Sequence, residues 1–194
     1  MIIKQILEAN LTEKLANAVT VKLNRHLKKE GLELMKMKLG VEIIFINVTK
    51  FLIVFTAAAL FGLLKEALFM SLIFGSVRKS AFGLHAKNSI VCTLVTFLMF
   101  VGGSYISHSI KLNNYLILLI FTVLNILLFK YAPADTENHP ILGRKLRKKL
   151  RKEAVTVGIL LMCLAMIVSN QLTKSLIVLS VGYEVISILP ITYK

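Results

Sequence analysis

Residues 78–92 have the sequence Arg-Lys-Ser-Ala-Phe-Gly-Leu-His-Ala-Lys-Asn-Ser-Ile-Val-Cys, a short basic and polar segment between two long apolar runs. The segment contains one of the two cysteines of the chain, Cys92, and one of its four histidines, His85. The apolar runs on either side must be buried in lipid or in a protein core, so they decide the fold class.

The apolar runs predict membrane helices. The chain has 194 residues, of which 56% are hydrophobic, and its mean hydropathy is +0.75. Residues 90–110, 115–129 and 154–170 are apolar on all sides and approach the roughly 18–20 residues that a helix needs to cross a bilayer. A soluble helical core would show polar outer faces, and a membrane β-barrel would show alternation. We therefore predict an all-α polytopic membrane protein.

The distribution of basic residues predicts the topology. We expect about six membrane helices: 43–61, 67–77, 90–109, 115–129, 154–170 and 175–189. The second is short for a span, so it either begins near Leu63, tilts, or is re-entrant. Eight Lys/Arg residues precede the first span, three lie within 78–87 and seven within 144–152. Since cytoplasmic loops are rich in Lys and Arg, both termini are expected in the cytoplasm.

The N-terminal segment has a different pattern. Within residues 2–27 an apolar side chain recurs every four positions, which predicts an amphipathic helix. Such a helix either lies on the membrane surface or packs on another cytoplasmic segment or a second subunit. We divide the chain into an N-terminal segment, 1–40, and a six-segment transmembrane domain, 41–194.

The net charge of +14 raises the possibility of nucleic-acid binding. The basic residues instead flank apolar runs and no aromatic-rich basic patch accompanies them, so we expect no nucleic-acid partner. The spacing of His, Cys, Asp and Glu shows no metal-ligand pattern, and we expect no cofactor.

Cys92 is the predicted nucleophile. Asn88 or Ser89 is a good N-cap for a helix that begins at Ile90, which places Cys92 in the first turn. There the helix dipole and free N–H groups stabilise a thiolate. Cys163 lies among Leu, Met and Val, and we expect it to be a small core residue.

His85 is the predicted base. If residues 85–92 formed one helix, the imidazole and the thiol would lie two turns apart, roughly 10 Å. We therefore expect Gly83 and its neighbours to form a turn that brings His85 towards Cys92. His139 is the alternative base, and His108 should lie on the outer side.

The spacing Arg78…Gly83-x-His85-x6-Cys92 resembles the accessory gene regulator protein B (AgrB) family of quorum-sensing membrane endopeptidases. Residues 130–140, which include Pro133, resemble the loop after the fourth span in that family. One departure is Phe82, where many members have a second glycine.

The resemblance implies a thiol protease of the bacterial cell membrane with its active site at the cytoplasmic face. It would cleave the C-terminal tail from an AgrD-type precursor peptide, hold the peptide as a thioester on Cys92, and release a cyclic thiolactone or lactone signal. It also implies a homodimer.

The resemblance also implies an acidic tail on the precursor, for which the basic segments 78–87 and 144–152 are candidate docking surfaces; the alternative is that these residues only fix the topology and bind lipid. We assign substrate binding to Arg78, Lys79, Gly83 and Asp135. Asp135 either orients His85, pairs with Arg78, or is a solvated loop carboxylate. Two other functions stay open: a small peptide exporter without covalent catalysis, for which Lys50 and Glu184 are the charged candidates, and a structural or regulatory membrane protein.

Overall fold

The computed structural model of the chain describes residues 2–83, 89–134 and 143–190, and it confirms an all-helical fold. The helices are α1 Ile2–Leu27, α2 Gly31–Leu60, α3 Leu64–Ala81, α4 Ser89–Phe97, α5 Gly103–Ser107, α6 Asn114–Tyr131, α7 Arg144–Ile167 and α8 Gln171–Ser187. A π-helical segment, Leu98–Gly102, joins α4 to α5 without a break, since the residues on both sides of each junction are helical. The chain divides into two compact units, Met1–Ile53 and Val54–Lys194.

The first unit contains α1 and the beginning of α2. The turn between them is held by Asn24, whose side chain accepts a hydrogen bond from the Lys29 N–H (2.8 Å) and donates to the Lys29 carbonyl (3.0 Å). The helix predicted over 2–27 is confirmed. Its described buried residues are Ala16 and Thr20, whereas the apolar stripe is exposed: Leu15, Val19, Leu23 and Leu27. An exposed apolar stripe is available to lipid or to a partner.

The second unit is a bundle in which α6 packs on α7, and α3 packs on both α7 and α8. One apolar cluster lies among these four helices around Phe121, Ile177 and Val181. A second cluster joins the end of α2 to α3 and the π-helical segment around Val54, Met70 and Phe100.

Polar contacts hold the turns at one end of the bundle. Lys174 Nζ donates to Asn114 Oδ1 (2.7 Å), and the Leu112 N–H donates to Gln171 Oε1 (3.1 Å). At the same end His108 Nε2 lies 3.9 Å from Glu66 Oε1. α8 begins at Gln171 with Asn170 as its N-cap, and Lys174 is buried. We call this the Lys174 end.

The run 67–77, which is short for a span, is part of a longer helix. The short run 67–77 belongs to α3, which starts at Leu64 and has 18 residues, about 27 Å of helix.

Cys163 is exposed on α7 and is not a core residue. The inward face of α7 is formed by Ala154, Gly158, Leu161 and Ala165. Cys163 lies on the opposite side because two residues turn a helix by about 200°.

Three helices among the described residues are long and apolar enough to cross a bilayer: Gly31–Leu60, Ile90–Ser107 and Asn114–Tyr131. Their outward faces carry many large apolar side chains, for example Leu119, Ile126 and Phe129 of α6, which are 64%, 59% and 63% exposed. A soluble monomer rarely exposes so much contiguous apolar surface. The chain is therefore a helical, membrane-associated protein.

Gly158 sets the distance between α6 and α7. A Cβ atom at this position would overlap Asn125 Oδ1 and lie 3.0 Å from Leu128 Cδ1. Small residues at helix interfaces let two backbones approach closely inside a membrane. Gly158 therefore allows α6 and α7 to pack closely at Asn125 and Leu128.

We predict that Gly158→Ala destabilises the protein by about 1–3 kcal/mol, because the added methyl overpacks a tight contact. Thermal unfolding in detergent, followed by loss of a monodisperse elution peak, measures the effect. Gly75→Ala is the matched control: Gly75 lies in α3, and a Cβ there meets no described atom within 4 Å. This control should be neutral or slightly stabilising. Equal stability of the two variants would contradict the assigned packing.

Candidate functional site

The end of α3 builds one side of the site. The helix stops at Ala81, where the Phe82 N–H still donates to the Arg78 carbonyl (2.9 Å). Phe82 has φ 62° and ψ −138° and Gly83 has φ 129°, so the chain leaves the helix sharply. The turn expected around Gly83 therefore begins at Phe82. Since a side chain at positive φ is strained, Phe82 holds a backbone conformation that glycine adopts more readily.

The two sequence segments with family-like patterns meet at this turn. The Ala134 N–H donates to the Ala81 carbonyl (2.8 Å), and Phe82 and Ala134 form an isolated parallel bridge. Arg151 Nε donates to the Ala132 carbonyl (2.9 Å). The chain after α6 is therefore attached on one side to the end of α3 and on the other to α7.

A buried ion pair links α3 to α8. Arg78 Nη1 lies 3.2 Å from Glu184 Oε2 and 3.5 Å from Ser187 Oγ, and its guanidinium lies over the Phe74 ring. The Arg78 side chain is 22% exposed and the Glu184 side chain is fully buried. In a low-dielectric interior this charge-assisted contact is strong and geometrically demanding.

Gly83 packs directly against this ion pair. A Cβ atom on Gly83 would lie 2.5 Å from Ser187 Oγ, 3.3 Å from Arg78 Nη1 and 3.4 Å from Glu184 Oε1. Gly83 is buried. Both the space and the backbone angle at this position therefore require glycine.

The basic part of α7 is attached to the same end of α3. Ser80 Oγ donates to Glu153 Oε2 (3.3 Å), and Glu153 Oε1 also lies 4.0 Å from Lys149 Nζ. The basic run 144–152 is thus the helical beginning of α7 and not a separate loop. We call the assembly of the α3 end, residues 132–134, the α7 start and the α8 end the basic end.

Cys92 occupies the first turn of α4, which begins at Ser89, and it is half-buried. Its carbonyl accepts a hydrogen bond from Thr96 Oγ1 (2.7 Å). Lys79 is exposed at the end of α3. His85, Asp135 and His139 lie outside the described residues, so of the predicted site the structure brings together only Arg78 and Gly83.

Glu184 was considered from the sequence only as a charged residue of an exporter path. Its pairing with Arg78 gives it a different place, at the basic end. The available signal was that Glu184 is the only acidic residue of α8, because a buried charge needs a partner. Among the described residues no group of three or more His, Cys, Asp and Glu side chains could hold a metal ion.

Comparison with known proteins decides the family. The model of the family described as Accessory gene regulator B (AgrB) matches residues 12–188. The chain belongs to the AgrB family. An AgrB-like protein of Clostridium acetobutylicum is 56% identical over 187 residues, which cover 96% of this chain and 90% of the relative.

More distant relatives support the same family. An AgrB-like protein of Listeria innocua is 38% identical over 184 residues, covering 95% of this chain and 89% of its own. The accessory gene regulator protein B of Staphylococcus haemolyticus is 26% identical over 172 residues, 88% of this chain and 90% of its own. No solved structure matches the chain.

For this AgrB-family chain we predict that Gly83→Ala costs about 2–4 kcal/mol, from backbone strain at positive φ and from the overlap with Ser187. Thermal unfolding in detergent measures the loss. The matched control is Gly62→Ala, since Gly62 also has positive φ, 70°, but among the described atoms none lies within 4 Å of its added Cβ. The control should lose only the backbone part. An equal loss in both variants would show that Ser187 does not constrain Gly83.

Proposed function

We propose that this chain is a membrane cysteine endopeptidase that cleaves an AgrD-type precursor peptide and cyclises it. The observation that carries the proposal is the meeting of the two family-like segments at Ala81 and Ala134, beside a helical bundle that also holds a half-buried Cys92 at a helix start. Family membership supports the accessory gene regulator role.

The proposed reaction begins with proton transfer from the Cys92 thiol to His85. The thiolate then attacks the carbonyl carbon of the scissile peptide bond. As the tetrahedral intermediate collapses, the C–N bond breaks and His85 returns the proton to the leaving amine. The C-terminal tail departs, and the remaining peptide is held as a thioester on Cys92.

A thiol or hydroxyl within the bound peptide then attacks the thioester carbonyl. The ring closes as a thiolactone or lactone, and the Cys92 sulfur leaves and is protonated. Thioester exchange is nearly balanced in energy whereas hydrolysis is strongly downhill. The site must therefore exclude water and hold the internal nucleophile close.

For substrate binding we propose Arg78, Lys79, Gly83 and Asp135. Lys79 is exposed, while Arg78 is mostly covered and held by Glu184. The basic beginning of α7 is the proposed docking surface for an acidic tail, which its seven Lys/Arg residues would attract.

We also propose the membrane arrangement of the site: six membrane segments, both termini and the basic end in the cytoplasm, and a multi-pass protein of the bacterial cell membrane. Residues 1–40 form a surface segment and 41–194 the peptidase domain, and the protein acts as a homodimer. The positive-inside distribution supports this orientation, since the basic end holds Arg78, Lys79 and the basic beginning of α7.

The alternative, an exporter without covalent chemistry, calls for charged groups along a path through the membrane. Glu184 is instead fully buried and paired with Arg78. This pairing favours the peptidase as the first proposal.

Replacement of the nucleophile separates the two functions. Cys92→Ala and His85→Ala should each reduce cleavage of a co-expressed AgrD-type precursor by about 1,000-fold or more, because the acyl-transfer step loses its nucleophile or base. Cys163→Ala, an exposed cysteine on α7, is the control and should cleave normally. Mass spectrometry should find the peptide as an adduct on Cys92. Normal cleavage by Cys92→Ala would exclude the mechanism.

The proposed topology is tested by labelling single cysteines in a chain with Cys92→Ser and Cys163→Ser. An impermeant maleimide added to intact cells should label Lys65→Cys and Lys111→Cys at the Lys174 end, which the proposal places outside the cell. Lys148→Cys, at the basic end, should react only after the membrane is opened, because cytoplasmic segments carry the excess of Lys and Arg. Labelling of Lys148→Cys in intact cells would reverse the orientation.

A further inference from the structure

We propose that Glu184 is a positioning residue for the peptidase site, acting through Arg78 and Gly83; the inference rests on the proposed function. Glu184 is 106 residues from Arg78 in sequence, yet its Oε2 lies 3.2 Å from the guanidinium. The contact joins α8 to the end of α3, directly before the turn at Phe82 and Gly83.

The geometry of Glu184 suits positioning more than simple neutralisation. Its Oε2 bonds Arg78, while its Oε1 lies 3.4 Å from the place where a Gly83 Cβ would stand. Oε1 has no hydrogen-bond donor in the part of the chain that the structure describes. The carboxylate therefore has one oxygen on the helix that precedes the turn and the other against the turn itself.

Ser187 completes this contact. Its hydroxyl lies one helical turn after Glu184 and donates to the Glu184 carbonyl (2.9 Å), while Arg78 Nη1 donates to Ser187 Oγ (3.5 Å). The α8 end thus presents a fixed polar surface on which Gly83 rests. Movement of α8 or loss of the carboxylate would change the direction in which the chain leaves α3.

A positioning role makes a specific kinetic claim. A residue that orients the reacting groups affects the rate at saturating substrate. A residue that only binds substrate affects the half-saturating substrate concentration. Glu184 should therefore influence the acylation rate of Cys92 at saturating precursor. Its effect on the half-saturating precursor concentration should be small.

The experiment uses the full-length protein in proteoliposomes. The substrate is an AgrD-type precursor that acylates Cys92 of the parental protein. We expect Glu184→Gln to lower the saturating rate of acylation by about tenfold or more, with less than about threefold change in half-saturating concentration. Glu184→Asp retains the charge and should recover part of the rate. The control Ser180→Ala, a buried residue one turn earlier on α8, should match the parental protein.

A second variant keeps the test decisive if Glu184→Gln does not fold. Arg78→Met with Glu184→Met removes both charges, and replacing a buried ion pair by apolar side chains is often neutral for stability. We expect this double variant to fold but to acylate slowly at saturating precursor. A parental saturating rate in either folded variant overturns the role of Glu184.

The controls separate this inference from the proposed function. If the parental protein forms no adduct on Cys92, the peptidase proposal fails. If Cys92 of the parental protein is acylated and the folded Glu184→Gln variant has the same saturating rate, only the positioning role fails.

Discussion

The buried ion pair between Arg78 and Glu184 constrains the basic end of the bundle. It joins the early helix α3 to the last helix α8 through charges that water does not reach freely. Removing one partner from a buried pair costs about 3–5 kcal/mol, because the other charge stays uncompensated. The two helices are therefore held in one relative position at this end, and Gly83, Ala81 and Ala134 take their places from it.

The same constraint acts on the backbone of Phe82. The chain must turn sharply between Ala81 and the contact of Gly83 with Ser187. A glycine would adopt φ 62° without strain, but Phe82 adopts it with strain of about 1–3 kcal/mol. A side chain at this position also restricts the conformations open to the unfolded chain more than a glycine would.

Much of the fold was readable from the sequence because the helix ends are marked chemically. The polar segment that begins at Arg78 marks the end of α3. The start of the last helix was less clear, since α8 begins at Gln171 with Asn170 as its N-cap, four residues before the predicted residue 175. The inward faces were not readable, because a helix that is apolar on all sides has no polar face to reveal its orientation. For this reason Cys163 was wrongly predicted to lie in the core, and the π-helical segment left no signal.

The candidate site also combines features that local sequence predicts with one that it does not. The helix start that holds Cys92 and the sharp exit from α3 at Phe82 and Gly83 follow from local residues. The predicted approach of His85 to Cys92 lies outside the described residues and stays a prediction. The partner of Arg78 depends on how α3 and α8 pack, and no local pattern encodes a contact across 106 residues. The sequence analysis named Glu184 only as a charged residue of an exporter path, and nothing near it in the sequence identifies Arg78 as its partner.

Helix stability does not explain why the beginning of α7 is rich in Lys and Arg. Seven of its first nine residues are Lys or Arg, and its first turn has no acidic residue. The positive end of the helix dipole disfavours cations there, and like charges one turn apart repel. Glu153 offsets this only locally, through Lys149 and Ser80. Arg78 is neutralised by Glu184, so the positive potential at the basic end comes mainly from α7 and the exposed Lys79. An acidic peptide tail or an anionic membrane surface would stabilise that arrangement, and both fit the proposed site at the basic end.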